Sequence, residues 1–373
     1  MKSPQQRRSL RFGRIGSCVF VVKEEITVEI LLLPGIVFCE SGVVRRAFKA
    51  DKETLVRRSS ILSVGALIVG SLVALGISCT ARTLPRSASP SPATIKIDHA
   101  LICTSDLGPM QQAFADIGLQ LDYGGHHGHA STQMAQLGFQ DGTYIGIEAP
   151  VAPSAETGTP QSSLMRAEAG PCGWSVTTLD IRAELERVSR LGVPVGTPEP
   201  RSRNRPDGTT AEWQSASLGP GAPGTNLPFL IEDITPRSNR APHSSPSTKG
   251  TTLNGVAMIV LGVRNLDESV ALFQKVYGWP VPKVENHPEF GAKLAYFVGT
   301  PVILATPFAP DSWVSERIAR LGQCPIAFLL GASDFKVASA HFSLPTVTHW
   351  FNLNVSWFDA KKLHGVRLGI VGG

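Results

Sequence analysis

From Ile95 onward, apolar and polar positions follow one order four times: an apolar run, an amphipathic stretch, then shorter apolar runs. Ile95 to Thr104 predicts a strand, about Leu107 to Ile117 a helix, and further short strands run up to "GTYIGIEAP". There Thr143, Ile145 and Ile147 alternate with Tyr144, Gly146 and Glu148, the period of two of a half-buried strand. A second unit opens at "GWSVTTLDI" and continues through "RAELERVSRLGV", where Leu185, Val188 and Leu191 recur at threes as the apolar stripe of a helix. It returns through "TAEWQSASL" and "NLPFLIEDI". The third unit, "LNGVAMIVLGVRNLDESVALFQKVYGWPV", sets Val270, Phe273 and Val276 on one helix face and returns through "AKLAYFVG" and "PVILATP". The fourth starts at "CPIAFLLGASDFKVASAHF" and ends in "WFNLNVSWFD" and "KLHGVRLGIVG". A unit of this size cannot close a core alone, so paired units are expected to curl their sheets around a shared cleft. The fold class predicted is α+β, built of paired βαβββ modules with curled mixed sheets.

The remainder of the chain sets the boundaries. Residues 56–79 combine a basic head, an apolar run from Ile61 to Ile77 and a small residue before Cys79, the layout of a signal peptide or a lipoprotein signal. The apolar run is also close to bilayer-spanning length, which keeps an uncleaved anchor in view. Cys79 is the expected lipidation site. All three readings make the chain exported, either membrane-anchored as a lipoprotein or extracytoplasmic. Residues 1–55 precede a signal that should act from the N-terminus, so they are expected to be a mispredicted start or an unstructured leader. A Pro/Ser-rich linker spans 80–94, the first domain 95–236, a second linker 237–250 and the second domain 251–373.

Composition narrows the function. With 42% hydrophobic and 17% charged residues, the 373-residue chain can bury a sizeable core. Its net charge of +5 belongs to the leader: residues 1–58 hold twelve Lys and Arg against six Asp and Glu, and the rest is near −1. A near-neutral globular part offers no electrostatic footprint for nucleic acid. Outside the leader stand Cys103, Cys172 and Cys324, an odd trio without C-x-x-C spacing, read as buried and unpaired.

"IDHALICTSDLGPMQQAFADIGLQLDYGG", with "GTYIGIEAP", "AEWQSASL" and "LPFLIEDITPR", resembles a glyoxalase-like domain of the vicinal oxygen chelate superfamily, and "MIVLGVRNLDESVALFQKVYGWPV" resembles the opening of another. The resemblance implies a small-molecule cleft holding one divalent metal (Fe, Mn, Ni or Zn) that polarises vicinal oxygens of a substrate. On that pattern the metal ligands are His99, Glu148 and Glu232. Gly146 stands where the family places its first acid, and Glu148 shares its strand face. Glu232 or His127 would act on the substrate, with Trp174, Trp213 and His129 in the pocket. "GGHHGHAST" reads as a mobile loop. Arg201, Arg203 and Arg205 read as a solvated turn before Asp207-Gly208, with attraction for a carboxylate ligand as the alternative. Met258 replaces the histidine in the second copy, leaving that copy to structure or surface binding. The implied function is metal-assisted lyase, isomerase or dioxygenase chemistry in the N-terminal cleft. Its rival is a metal-free protein that binds or sequesters a small molecule.

Overall fold

The computed structural model describes residues 20–22, 26–28, 93–153, 155–241, 243–344 and 346–373. The signal at 56–79 and Cys79 lie outside the described residues, as do the leader and the first linker apart from the short pieces named. In a unit of its own, strands β1 (Phe20–Val22) and β2 (Ile26–Val28) pair antiparallel. Among the described residues no helix is long and apolar enough to cross a membrane.

Residues 88–373 form one compact unit. Its first half runs β3 (Ile97–Cys103), α1 (Leu107–Asp116), β4 (Asp122–His127), β5 (Thr132–Gly138), β6 (Tyr144–Pro150), α2 (Ser162–Arg166), β7 (Gly170–Thr177), α3 (Ile181–Arg190), β8 (Glu199–Asn204), β9 (Thr210–Ala216), β10 (Phe229–Asp233) and α4 (Arg237–Arg240). The second half runs β11 (Leu253–Gly262), α5 (Leu266–Tyr277), β12 (Lys283–His287), β13 (Ala292–Tyr296), β14 (Val302–Pro307), α6 (Trp313–Leu321), β15 (Cys324–Ala332), α7 (Phe335–His341), β16 (Thr348–Trp350), β17 (Leu353–Trp357) and β18 (Leu368–Gly372). The four-fold repetition has a local cause. After each leading strand an Asp or Asn accepts from the first helical turn: Asp106 from Gly108 N, Asp180 from Ala183 N, Asn265 from Glu268 N and Asp334 from Val337 N. Each starts a helix where the apolar period changes from two to about 3.6.

The strands form two curled eight-stranded mixed sheets. The first closes into a barrel in the order β10-β7-β3-β6-β5-β4-β8-β9, and the second runs β12-β13-β14-β11-β15-β18-β17-β16. In each, the leading strands of two βαβββ units pair antiparallel at the centre, with His99 opposite Ser175 and Met258 opposite Leu329. One apolar core serves both sheets, joining Ile102, Phe114 and Trp174 to Ile259, Phe273 and Phe328. The concave side of the second sheet is filled by a separate cluster that includes Met258, Phe290, Tyr296, Trp350 and Phe351. The histidine's counterpart, Met258, is packing material there.

Two expectations change. The segment 237–250 is no linker: α4 is followed by a 3-10 turn at Pro246–Thr248, Arg240 is 1% exposed, and Ser245 Oγ accepts from Gly138 N at 2.9 Å. Its polar side chains are spent on buried partners, which a search for apolar periodicity does not register. The cysteines are not all unpaired either. Antiparallel pairing of β3 with β7 brings Cys103 and Cys172 within 5.8 Å between Cα atoms and they form a disulfide, leaving Cys324 as the free buried thiol.

Candidate functional site

Because side chains on a strand alternate between faces, each strand of the first barrel contributes every second residue to its interior. A cavity of about 110 Å³ results, lined by His99, His127, Glu148, Arg203, Trp213 and Phe229 among others. The barrel closes over it through a short seam, with His126 opposite Asn204 and His127 opposite Arg203. Gly125 permits that seam: it sits at φ +100°, and a Cβ there would lie 1.9 Å from Asn204 O. The residues read as a mobile histidine loop therefore lie on β4, with Gly124 as an extra residue in the pairing between Tyr123 and Gly125. His129 follows in the turn and also lines the cavity.

His99 is held on three sides. Its ring stacks on Tyr144 at 4.7 Å between centroids and meets the edge of Phe229 at 5.4 Å. Nδ1 lies 2.7 Å from Asp98 Oδ1 and 2.8 Å from Ser175 Oγ. Burial of Asp98 by itself would raise its carboxyl, yet the charge and hydrogen bonds of Arg240, with those of His99, hold it well below the usual range. Asp98 is thus ionised and accepts a hydrogen bond from the Nδ1 proton. Burial lowers the pKa of His99 against the opposing pull of Asp98, so at neutral pH the ring is neutral. The lone pair is then on Nε2, in a ring that lines the cavity.

Glu148 is buried, and desolvation pushes its carboxyl up to about 7, with a hydrogen bond from Thr132 acting the other way. His127 Nδ1 lies 3.6 Å from Glu148 Oε1 and 2.7 Å from Thr132 Oγ1. Burial first, then the charges of Arg203, His129, His99 and Arg201, drives the pKa of His127 well below its ordinary value. Its neighbour at neutral pH is therefore a neutral imidazole, and Glu148 is poised between acid and base.

Two arginines are fully buried in the cavity wall, Arg240 outside every expected site and Arg203 expected there only under the carboxylate alternative. Arg240, from the supposed linker, donates to Asp98 at 2.7 Å through both terminal nitrogens, to Asp233 through Nε at 2.6 Å, and to the Tyr144 hydroxyl at 3.0 Å. Arg237 adds a second guanidinium on Asp98. Arg203, on β8, is not in a solvated turn. Strand alternation turns it and Arg201 into the barrel, and the available signal was the period of two in "RSRNR". Arg205 reaches Asn239 O at 3.1 Å, outside the cavity lining.

Other expectations separate. His99, Glu148, His127, His129 and Trp213 share the cavity, whereas Trp174 and Glu232 do not. Trp174 points to the opposite face of β7, packs in the main core and donates through Nε1 to Asn226 O at 3.0 Å. Glu232 is replaced inside by its neighbour Ile231; its Oε2 accepts from Ile181 N at 2.9 Å and caps α3. The inward face of β10 is the apolar Phe229 and Ile231 set, one residue out of step with the expected reading.

The expected metal set is accordingly not assembled. Glu232 faces away, the space over Gly146 is taken by Met134, whose Cε would lie 2.9 Å from a Cβ there, and the guanidinium of Arg203 shares the wall. Among the described residues no group of three or more His, Cys, Asp or Glu side chains is arranged to hold a metal ion. His99, His127, His129 and Glu148 share the wall with Arg201 and Arg203 and are not grouped as a divalent cation would require.

Residues 97–258 match the family model of a glyoxalase-like domain. No curated protein matches. Among solved structures, a hypothetical protein from Staphylococcus aureus is 13% identical, with 74% of this chain and 98% of that one covered and a TM-score of 0.48. Methylmalonyl-CoA epimerase from Mycobacterium tuberculosis is 16% identical over 33% of this chain and 89% of its own, with a TM-score of 0.29. A xylose isomerase-like TIM barrel/4-hydroxyphenylpyruvate dioxygenase fusion protein is 12% identical over 78% and 51%, with a TM-score of 0.47.

Proposed function

We propose, from the glyoxalase-like domain matched at residues 97–258, that the chain is a member of the vicinal oxygen chelate superfamily whose first barrel binds a small carbonyl compound and moves a proton on it, in a protein exported from the cytosol. The observation that carries this reading is the buried Glu148 carboxyl in the cavity wall, 3.6 Å from His127, whose desolvation outweighs the hydrogen bond from Thr132 and the charge of Arg201. A carboxyl titrating near neutrality can take a proton from carbon next to a carbonyl and return it to the same or a neighbouring atom, the balance required of an isomerase or lyase step. His99, fixed by Asp98 in the tautomer that exposes a lone pair on Nε2, accepts a hydrogen bond from a hydroxyl of the bound molecule and orients it. No step is routed through a metal, because the donors present do not suit one.

Export is supported by the Cys103–Cys172 disulfide, since such bonds persist in oxidising compartments. Lipidation at Cys79 and anchoring to a membrane follow from the signal-like segment, and the intact mass of the natural mature chain tests both. The second sheet, its concave side filled, serves as a structural partner.

The test is proton exchange. Full-length protein in D2O is incubated with small carbonyl compounds, charged and uncharged, and C–H loss is followed by NMR. Exchange by the wild type that falls about 100-fold or more in Glu148→Gln is the expected result. Equal exchange in the variant sinks the role of Glu148. Binding without exchange in the wild type favours a sequestering protein, a reading to which the Trp213 and Phe229 walls lend support.

A further inference from the structure

Arg203 and Arg240 are each 1% exposed, yet only one of them has its charge answered. Arg240 is bracketed by the carboxylates of Asp98 and Asp233. Arg203 has no carboxylate partner among the described residues. Its terminal nitrogens meet neutral acceptors, the Met134 sulfur, Gln136 Oε1 at 3.2 Å and the backbone carbonyl of Arg240, and its buried Nε has no acceptor. A buried guanidinium left without a counter-charge is costly, and proteins normally pair it. Arg203 lines the cavity, and Arg201, His127 and His129 line it too. The acid of that lining, Glu148, lies 3.6 Å from His127 and makes no ion pair with Arg203.

We propose that the cavity takes a small monocarboxylate whose anion pairs with Arg203. The inference deepens the small-molecule reading of this cavity and rests on it. A planar carboxylate matches the guanidinium fork. Size limits the remainder of the ligand: apolar cavities of about 150 Å³ enclose a benzene ring, so a space of about 110 Å³ suits an acid of a few carbons.

The test is calorimetric titration of the full-length protein with acetate, pyruvate and isobutyrate, each against its amide, with chloride and inorganic phosphate as further arms. At least one carboxylate should bind about 10-fold or more tighter than its amide and than phosphate or chloride, and Arg203→Met should remove that margin. Equal binding of acid and amide, an undiminished margin in Arg203→Met, absence of carboxylate binding, or phosphate or chloride binding as tight as any carboxylate each overturns the proposal. If Arg203→Met does not fold, Arg203→Lys replaces it: affinity should fall while the preference for acid over amide survives, and an unchanged affinity overturns the inference. Repeating the titration in Glu148→Gln separates the two ideas. Carboxylate binding there without proton exchange leaves this inference standing while the exchange test judges Glu148; exchange on uncharged carbonyls without carboxylate binding removes the inference alone.

Discussion

Asp98 Oδ1 accepts from His99 Nδ1 and from Arg240 Nη1, both at 2.7 Å, so one buried carboxylate sets the tautomer of the cavity histidine and neutralises a buried arginine. Removing the charge with Asp98→Asn leaves Arg240 half-answered in the interior. Breaking a buried pair by losing one partner typically costs about 3–5 kcal/mol. Denaturant unfolding at pH 7 should show that loss. The carboxyl of Asp98 is depressed in the folded state, so its contribution is complete above the unfolded value of about 3.9 and is lost as pH falls through the folded value. Wild type and variant should therefore converge in stability in acid.

Glu148 gives the opposite slope. Its folded pKa of about 7 lies above the ordinary 4.5, so the folded state holds a proton that the unfolded state releases. That contribution is complete below the unfolded value and is lost as pH rises to and through about 7. Glu148→Gln keeps the neutral form at every pH. Relative to wild type it should gain about 3 kcal/mol between pH 4 and pH 9, measured as the difference between two urea-unfolding series. Taking the difference removes the contribution of His99 and His127, whose lowered pKa values act in the reverse direction.

The scaffold was more legible than the site. Four Asp or Asn caps and the change of period behind each leading strand are local features, and Leu185, Val188 and Phe273 declare their helix faces without reference to the rest of the chain. His99 was legible because its strand is a repeat whose second copy carries Met258. Arg203 and Arg240 were not, because a guanidinium is read as solvated unless its partners are known, and apart from Asp233, 7 positions from Arg240, those partners lie 37 to 142 positions away. Glu232 was misplaced because both faces of "FLIED" are plausible until its pairing fixes which one turns inward. The Cys103–Cys172 bond spans 69 positions and follows from β3–β7 pairing, which spacing does not disclose.

Gly125→Ala should unseat the cavity more than it disturbs the shared core. A Cβ would meet the Asn204 carbonyl at 1.9 Å, a backbone atom that cannot rotate away, and φ +100° is itself unfavourable for alanine. The β4–β8 seam must part, carrying His127 away from Arg203. A stability loss of about 3 kcal/mol is expected. Hydrogen exchange should rise at β4 and β8 and remain slow at β11 and β15. Uniform loss of protection would mean that the seam and the core unfold together.

The disulfide should matter to stability more than to chemistry. Cys103 and Cys172 sit at the ends of the two central strands, away from the cavity lining, and their bond closes a loop of 69 residues. For a loop of that length the chain-entropy account gives about 4 kcal/mol. Joint replacement by serine, or full reduction, should lower unfolding stability by that order while leaving the binding of a cavity ligand unchanged at temperatures where the protein remains folded. Peptide mapping of the natural protein under non-reducing conditions checks that the bond is present. If it is, and its removal alters ligand affinity about 10-fold, the central strand pair transmits to His99 and Ser175, which face each other across it.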